Sequence, residues 1–160
     1  MQLLGSGTIL REVEAAADIL QREWGIAANV WSVTSYTELR RDGMSVERWN
    51  RLHPSQPARV SHIERCLSDT TGPVIAASDY VSALPDLVRA WIPRRYVTLG
   101  TDGYGRSDTR QALRRFFEVD RAHVVVAALK ALADQEAVPH TTVDAALERF
   151  GIARDAGGEA

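Results

Sequence analysis

Two periods of apolar residues alternate along this chain. Gln2–Leu4 is a short apolar run that stops at Gly5-Ser6-Gly7, and Leu10, Val13, Ala17, Leu20 and Trp24 then recur at intervals of three and four. The first pattern predicts a buried strand, the second an amphipathic helix with Thr8 as N-cap and Gly25 as C-cap. Ile26–Val33, with β-branched and aromatic residues at Val30, Trp31 and Val33, predicts a second strand. Strand, helix, strand with short joints is a βαβ unit, which requires parallel strands and a right-handed crossover.

Further on, 35–52 predicts one or two short helices interrupted at Gly43, and Pro54 and Pro57 mark an irregular crossing segment. Residues 61–67 predict one helical pass. Pro73–Ala77 is apolar throughout, as a central parallel strand should be. A helix over about 82–91 follows, then a strand at Tyr96–Leu99. Three helices close the chain at about 108–117, 121–133 and 142–150. Val124-Val125-Val126 could form a strand, but Ala127 to Leu132 favour helix by propensity. The organisation is therefore one α/β domain over 1–151, with a polar flexible tail over 152–160.

Composition narrows the class. At 160 residues the chain can bury roughly two thirds of its unfolded surface without metals or disulfides. A formal net charge of −2 gives no electrostatic case for nucleic acid or an anionic membrane. No apolar run approaches the roughly 18 residues of a membrane span. Cys66 is the single cysteine, so no intrachain disulfide forms and a reducing, cytoplasmic setting is expected. The basic residues are 18 arginines and Lys130 alone, a bias that GC-rich coding explains. A strand that begins at residue 2 without a preceding segment reads as a domain cut from a longer polypeptide.

The densest chemistry lies in Leu99–Arg110, where Gly100, Gly103 and Gly105 interleave with Asp102, Arg106, Asp108 and Arg110. Such glycines serve sharp turns or close approach, and the alternating charges suggest a hydrogen-bonded network. Thr101-Asp102-Gly103 departs from the Gly-Asp-Gly start of the thiamine-diphosphate motif, and helical Ala127–Leu132 replaces its closing asparagines. Gly5-Ser6-Gly7-Thr8 has two glycines of a dinucleotide fingerprint, but Leu10 stands where the third belongs. It reads as a tight strand-to-helix turn, with a small anion at the helix N-terminus as the alternative. His53, His62, His123 and His140 are not spaced as metal ligands. Cys66, beside Leu67, reads as core without a local base. Ser78-Asp79 and Ser107-Asp108 lack a histidine placed to complete a triad, so the aspartates read as capping or bracing residues, and a small hydrolase is the weakest class. Two of the four tryptophans fall on core-facing helical positions, whereas Trp49 and Asn50 read as surface or interface residues.

Several long segments share one resemblance: Gln2–Val13, Val30–Leu39, Arg48–Pro54, Ala77–Tyr80, the glycine loop, and Phe117–Asp120 leading into Val124–Leu132. Together, from residue 2 to about 151, they resemble the C-terminal, transketolase-like domain of homodimeric pyruvate dehydrogenases, the decarboxylating component. The resemblance implies a three-layer α/β sandwich with a mostly parallel sheet of four or five strands, one antiparallel strand preceding Gln2. It implies thiamine diphosphate and magnesium bound by earlier domains of the parent, whose motifs are absent, so no catalytic, cofactor-binding or metal-binding residue is expected here. It also implies a parent that decarboxylates pyruvate and acetylates a lipoyl group on its acyltransferase partner. In that setting Asp102, Gly103, Gly105, Arg106, Asp108 and Arg110 are expected to brace a domain or subunit contact in a homodimer. The competing reading is a free-standing ligand-binding module that uses Gly5, Ser6, Gly7 and Thr8.

Overall fold

A computed structural model describes residues 1–154. Its elements are β1 (Gln2–Gly5), α1 (Leu10–Trp24), β2 (Asn29–Ser32), α2 (Tyr36–Leu52), α3 (His62–Leu67), β3 (Val74–Ala77), α4 (Ala83–Asp86), β4 (Tyr96–Leu99), α5 (Arg110–Phe116), α6 (Arg121–Ala133) and α7 (His140–Phe150). The four strands form one sheet in the order β2-β1-β3-β4, and every pairing is parallel. No antiparallel strand occurs among the described residues.

Strand alternation builds the three layers, because successive side chains point to opposite faces. Leu3, Ile75 and Ala77 join Ile9, Val13, Ala16 and Leu20 of the α1 side, Val125 and Leu129 of α6, and Ala146 of α7 in one core. Leu4, Val74, Ala76 and Tyr96 face the other way and join Tyr36, Ile63, Leu67 and Trp91. The first core accounts for the Val124–Val126 run. α6 lies between α1 and α7 against the sheet, so it is apolar nearly all round and still helical, capped by the Asp120 carboxylate on the His123 amide. Buried Gln2 is satisfied: its Oε1 accepts from the Trp31 indole at 2.8 Å and from Asn29 at 3.2 Å.

Four expectations change. α2 runs unbroken through Gly43, because a Cβ there would stand 2.4 Å from the Trp91 ring; the glycine marks a close approach rather than a break. α1 is not capped by Thr8: a 3₁₀ turn over Gly7–Ile9 precedes it and Ile9 is its N-cap. The helix expected over 82–91 divides into α4 and a 3₁₀ turn at Arg89–Trp91. β2 is also shorter than Ile26–Val33. Of the expected tail, Ile152 still donates to Leu147 O and Arg154 pairs with Asp144, while 155–160 lie outside the described residues.

Candidate interface at the carboxyl end of the sheet

The carboxyl ends of β1, β3 and β4 are tied together by short polar contacts. Ser6 Oγ donates to Ser78 Oγ at 2.9 Å, and the Thr8 amide and hydroxyl both donate to Asp79 Oδ2 at 3.4 Å. Gly7 has φ +56°, and a Cβ there would meet the Asp79 carboxylate at 2.5 Å. Gly5–Thr8 is thus a tight turn whose Thr8 amide is taken by this chain's own carboxylate, so an external anion would have to displace Asp79. Asp79 braces the turn, in the role its sequence setting suggested.

Across the same edge, Thr101 donates from its amide to Tyr80 O at 2.9 Å and from its hydroxyl to Asp79 O at 3.0 Å. Asp102 Oδ1 accepts the Ser82 amide at 3.0 Å. Only glycine fits at 100, where a Cβ would lie 2.2 Å from Ser82 N. Beyond Asp102 the chain rises into solvent: 102–110 are all exposed, with Gly103 at φ +98° and space around both Gly103 and Gly105.

The expected network of arginines and aspartates within this loop does not form. Asp108 accepts the adjacent Thr109 amide, Thr109 caps α5 through the Ala112 amide, and Arg106 lies 4.5 Å from the Phe116 ring centroid. Both carboxylates are engaged by backbone amides, and Arg106 and Arg110 have no ion-pair partner among the described residues. Arg110 opens α5, where the helix dipole disfavours a cation. Around the loop Tyr104 is 97% exposed, with Tyr80, Val81 and Phe116 also open to solvent. Sequence reasoning missed these apolar members, since only tertiary structure gathers them at one edge.

Behind the loop is a buried ion cluster that sequence reasoning also missed. Glu12, 5% exposed, accepts from Arg114 at 2.7 Å and from Arg121 Nε at 2.9 Å, Arg121 Nη2 at 3.2 Å and the Arg121 amide at 3.1 Å. Burial pushes the Glu12 carboxyl up, but the Arg121 bonds and the charges of Arg121 and Arg114 outweigh it and hold it below its ordinary value. A findable signal existed: Glu12 shares the helical stripe of Ile9, Val13 and Ala16. Arg115 extends the brace, donating to Phe150 O and Gly151 O at the end of α7.

Cys66 departs from expectation. It is half-buried on a groove of about 550 Å³ between β2, α2 and α3, and His62, one helical turn before it, places Nε2 3.4 Å from its sulfur. The spacing of four was the signal. Trp49, by contrast, lies near the surface as expected, stacked on His53 and beneath the Arg59 guanidinium. Among the described residues no group of three His, Cys, Asp or Glu side chains could hold a metal ion, and no helix is long and apolar enough to cross a membrane.

Comparison with known proteins fits this architecture. The model of the transketolase-like TK C-terminal domain matches residues 1–120. Proteins named pyruvate dehydrogenase E1 component are similar to the chain: that of Pseudomonas aeruginosa is 56% identical over 95% of this chain and 17% of its own length. That of Escherichia coli K12 is 47% identical over 97% of this chain and 17% of its own. That of Mycobacterium tuberculosis is 49% identical over 91% of this chain and 16% of its own. The chain therefore spans about one sixth of the length of these relatives. With its parallel β2-β1-β3-β4 sheet between two helical layers, it belongs to the transketolase-like TK C-terminal domain family.

Proposed function

We propose that this chain serves as the C-terminal structural and dimerisation domain of a cytoplasmic pyruvate dehydrogenase. The parent uses thiamine diphosphate and magnesium to decarboxylate pyruvate and acetylate lipoyl groups on an acyltransferase partner. Thiamine diphosphate would supply the carbanion stabilisation that the decarboxylation needs. The residues here do not fit that cofactor: the Thr8 amide is engaged by Asp79, and among the described residues no carboxylate cluster is arranged for the metal. On this reading cofactor and substrate chemistry belong to other domains of the parent enzyme.

The observation that carries the reading is the strand-end loop. Asp102, Gly103, Gly105, Arg106, Asp108 and Arg110 project from a rigid base, and Tyr104 at 97% exposure adds an aromatic side chain with no intrachain packing of its own. Aromatic and arginine side chains are the groups that anchor interfaces. The loop meets another domain or a second copy, where carboxylates pair Arg106 and Arg110.

In the full-length enzyme, Arg106→Ala weakens the dimer about tenfold or more, the scale of one anchor worth over 1 kcal/mol. Sedimentation equilibrium measures it, with pyruvate turnover alongside. Unchanged dimer dissociation and turnover would remove the loop from the contact.

A further inference from the structure

On a different surface, at the end of α2, the run Arg48–Ile63 contains three arginines, two histidines and no carboxylate, in a chain whose formal net charge is −2. Arg48, Arg51 and Leu52 fall within one arc of α2, since residues three and four apart share a helix face. Trp49 adjoins them and carries the Arg59 guanidinium 3.9 Å from its ring centroid. Asn50 clips the returning loop, donating to Arg59 O at 3.0 Å and accepting the Arg59 amide at 2.8 Å. His53 stacks on Trp49 at 4.5 Å, with its Nδ1 on Trp49 O. An almost wholly exposed segment is thereby held in one shape.

The guanidinium groups of Arg48, Arg51 and Arg59 have no hydrogen bond or ion pair among the described residues. Glu47, one turn before Arg51, is not within salt-bridge distance of it. Other arginines of the chain do form ion pairs, among them Arg89, Arg114, Arg121 and Arg149. Leu52 and Val60, 54% and 46% exposed, lie among the cations.

The geometry points to a docking surface for an acidic, leucine-bearing protein segment, whose carboxylates pair Arg48, Arg51 and Arg59 while its apolar side chains cover Leu52 and Val60. Arginine presents a fixed fork that matches carboxylates. Ordering the loop before binding removes part of the entropy that association costs. A second copy docking this patch on itself is disfavoured, because the run offers cations and no carboxylate to pair them. Nucleic acid fits less well, since it has no use for exposed Leu52 and Val60.

The test uses the full-length protein and a fluorescein-labelled peptide of repeating Glu-Glu-Leu, followed by anisotropy. The peptide binds, and binding weakens with added salt. It falls about tenfold in the Arg48→Glu/Arg51→Glu variant and to a lesser degree in Arg48→Gln/Arg51→Gln, which retains fold if the reversal does not. A Glu-Glu-Ser peptide binds several-fold more weakly, and Asn50→Ala weakens Glu-Glu-Leu binding without changing charge. Absence of binding, or equal binding by the arginine variants, overturns the proposal. Equal affinity for the serine peptide, or for a single-stranded RNA with the same arginine dependence, overturns it in favour of a plain polyanion surface.

Discussion

Gly43 shows how a single residue can carry a helix-to-helix distance. In isolation a mid-helix glycine costs roughly 0.5–1 kcal/mol against alanine. Here the sign reverses, because the Trp91 ring lies where a Cβ would go, 2.4 Å away at its nearest atom. Gly43→Ala is therefore expected to destabilise the domain by about 2 kcal/mol, as overpacking does. Urea unfolding checks it, and a stabilised variant would show that Trp91 moves aside freely. The sequence could not separate the two meanings of this glycine, since helix interruption and close packing demand the same residue. Cys66 and His62 were readable, because a spacing of four on a helix brings side chains together. Tyr104 and Tyr80 were not: which aromatics stay outside depends on where the loop leaves the sheet.

At the scale of elements, the Glu12 carboxylate joins α1 to α5 and to the start of α6. Glu12→Gln removes charge from Arg114 and Arg121 and is expected to cost about 2 kcal/mol at neutral pH, the worth of a charge-assisted bond to a buried group. The folded carboxyl is held below its ordinary value of 4.5, so the stability it lends is complete above that value and lost as pH falls through the lowered one. Asp120, pushed up by burial but pulled lower by His123 and Arg115, has the same sign. Thermal melts from neutral to acid pH should show the gap between wild type and Glu12→Gln narrowing below 4.5. A gap that persists at acid pH would place the effect in packing rather than charge. Apolar periodicity predicted α1, apolar and β-branched runs predicted the four strands, and helix propensity predicted α6. The pattern failed at 82–91, where α4 ends after one turn and a separate 3₁₀ turn forms at Arg89–Trp91.

For the whole molecule, the βαβ rule predicted the parallel pairing of β1 and β2, and the long motifs identified the family before any distance was known. What stayed hidden was contact between distant parts of the chain, of which the Glu12 cluster is the main case. The isolated domain, titrated with thiamine diphosphate and magnesium, is expected to release no heat beyond dilution; tight binding in that calorimeter would return cofactor chemistry to these residues. Glu12 also bears on how the chain is made. Within this domain it precedes β4, whereas its two cations follow β4, at 114 and 121. A nascent chain that has completed β4 can pair all four strands, yet packing α1 fully would strand a carboxylate with no counter-charge. The first helix can seat fully only once residues 114 and 121 are available, so this ion cluster, rather than sheet formation, sets when the domain can close.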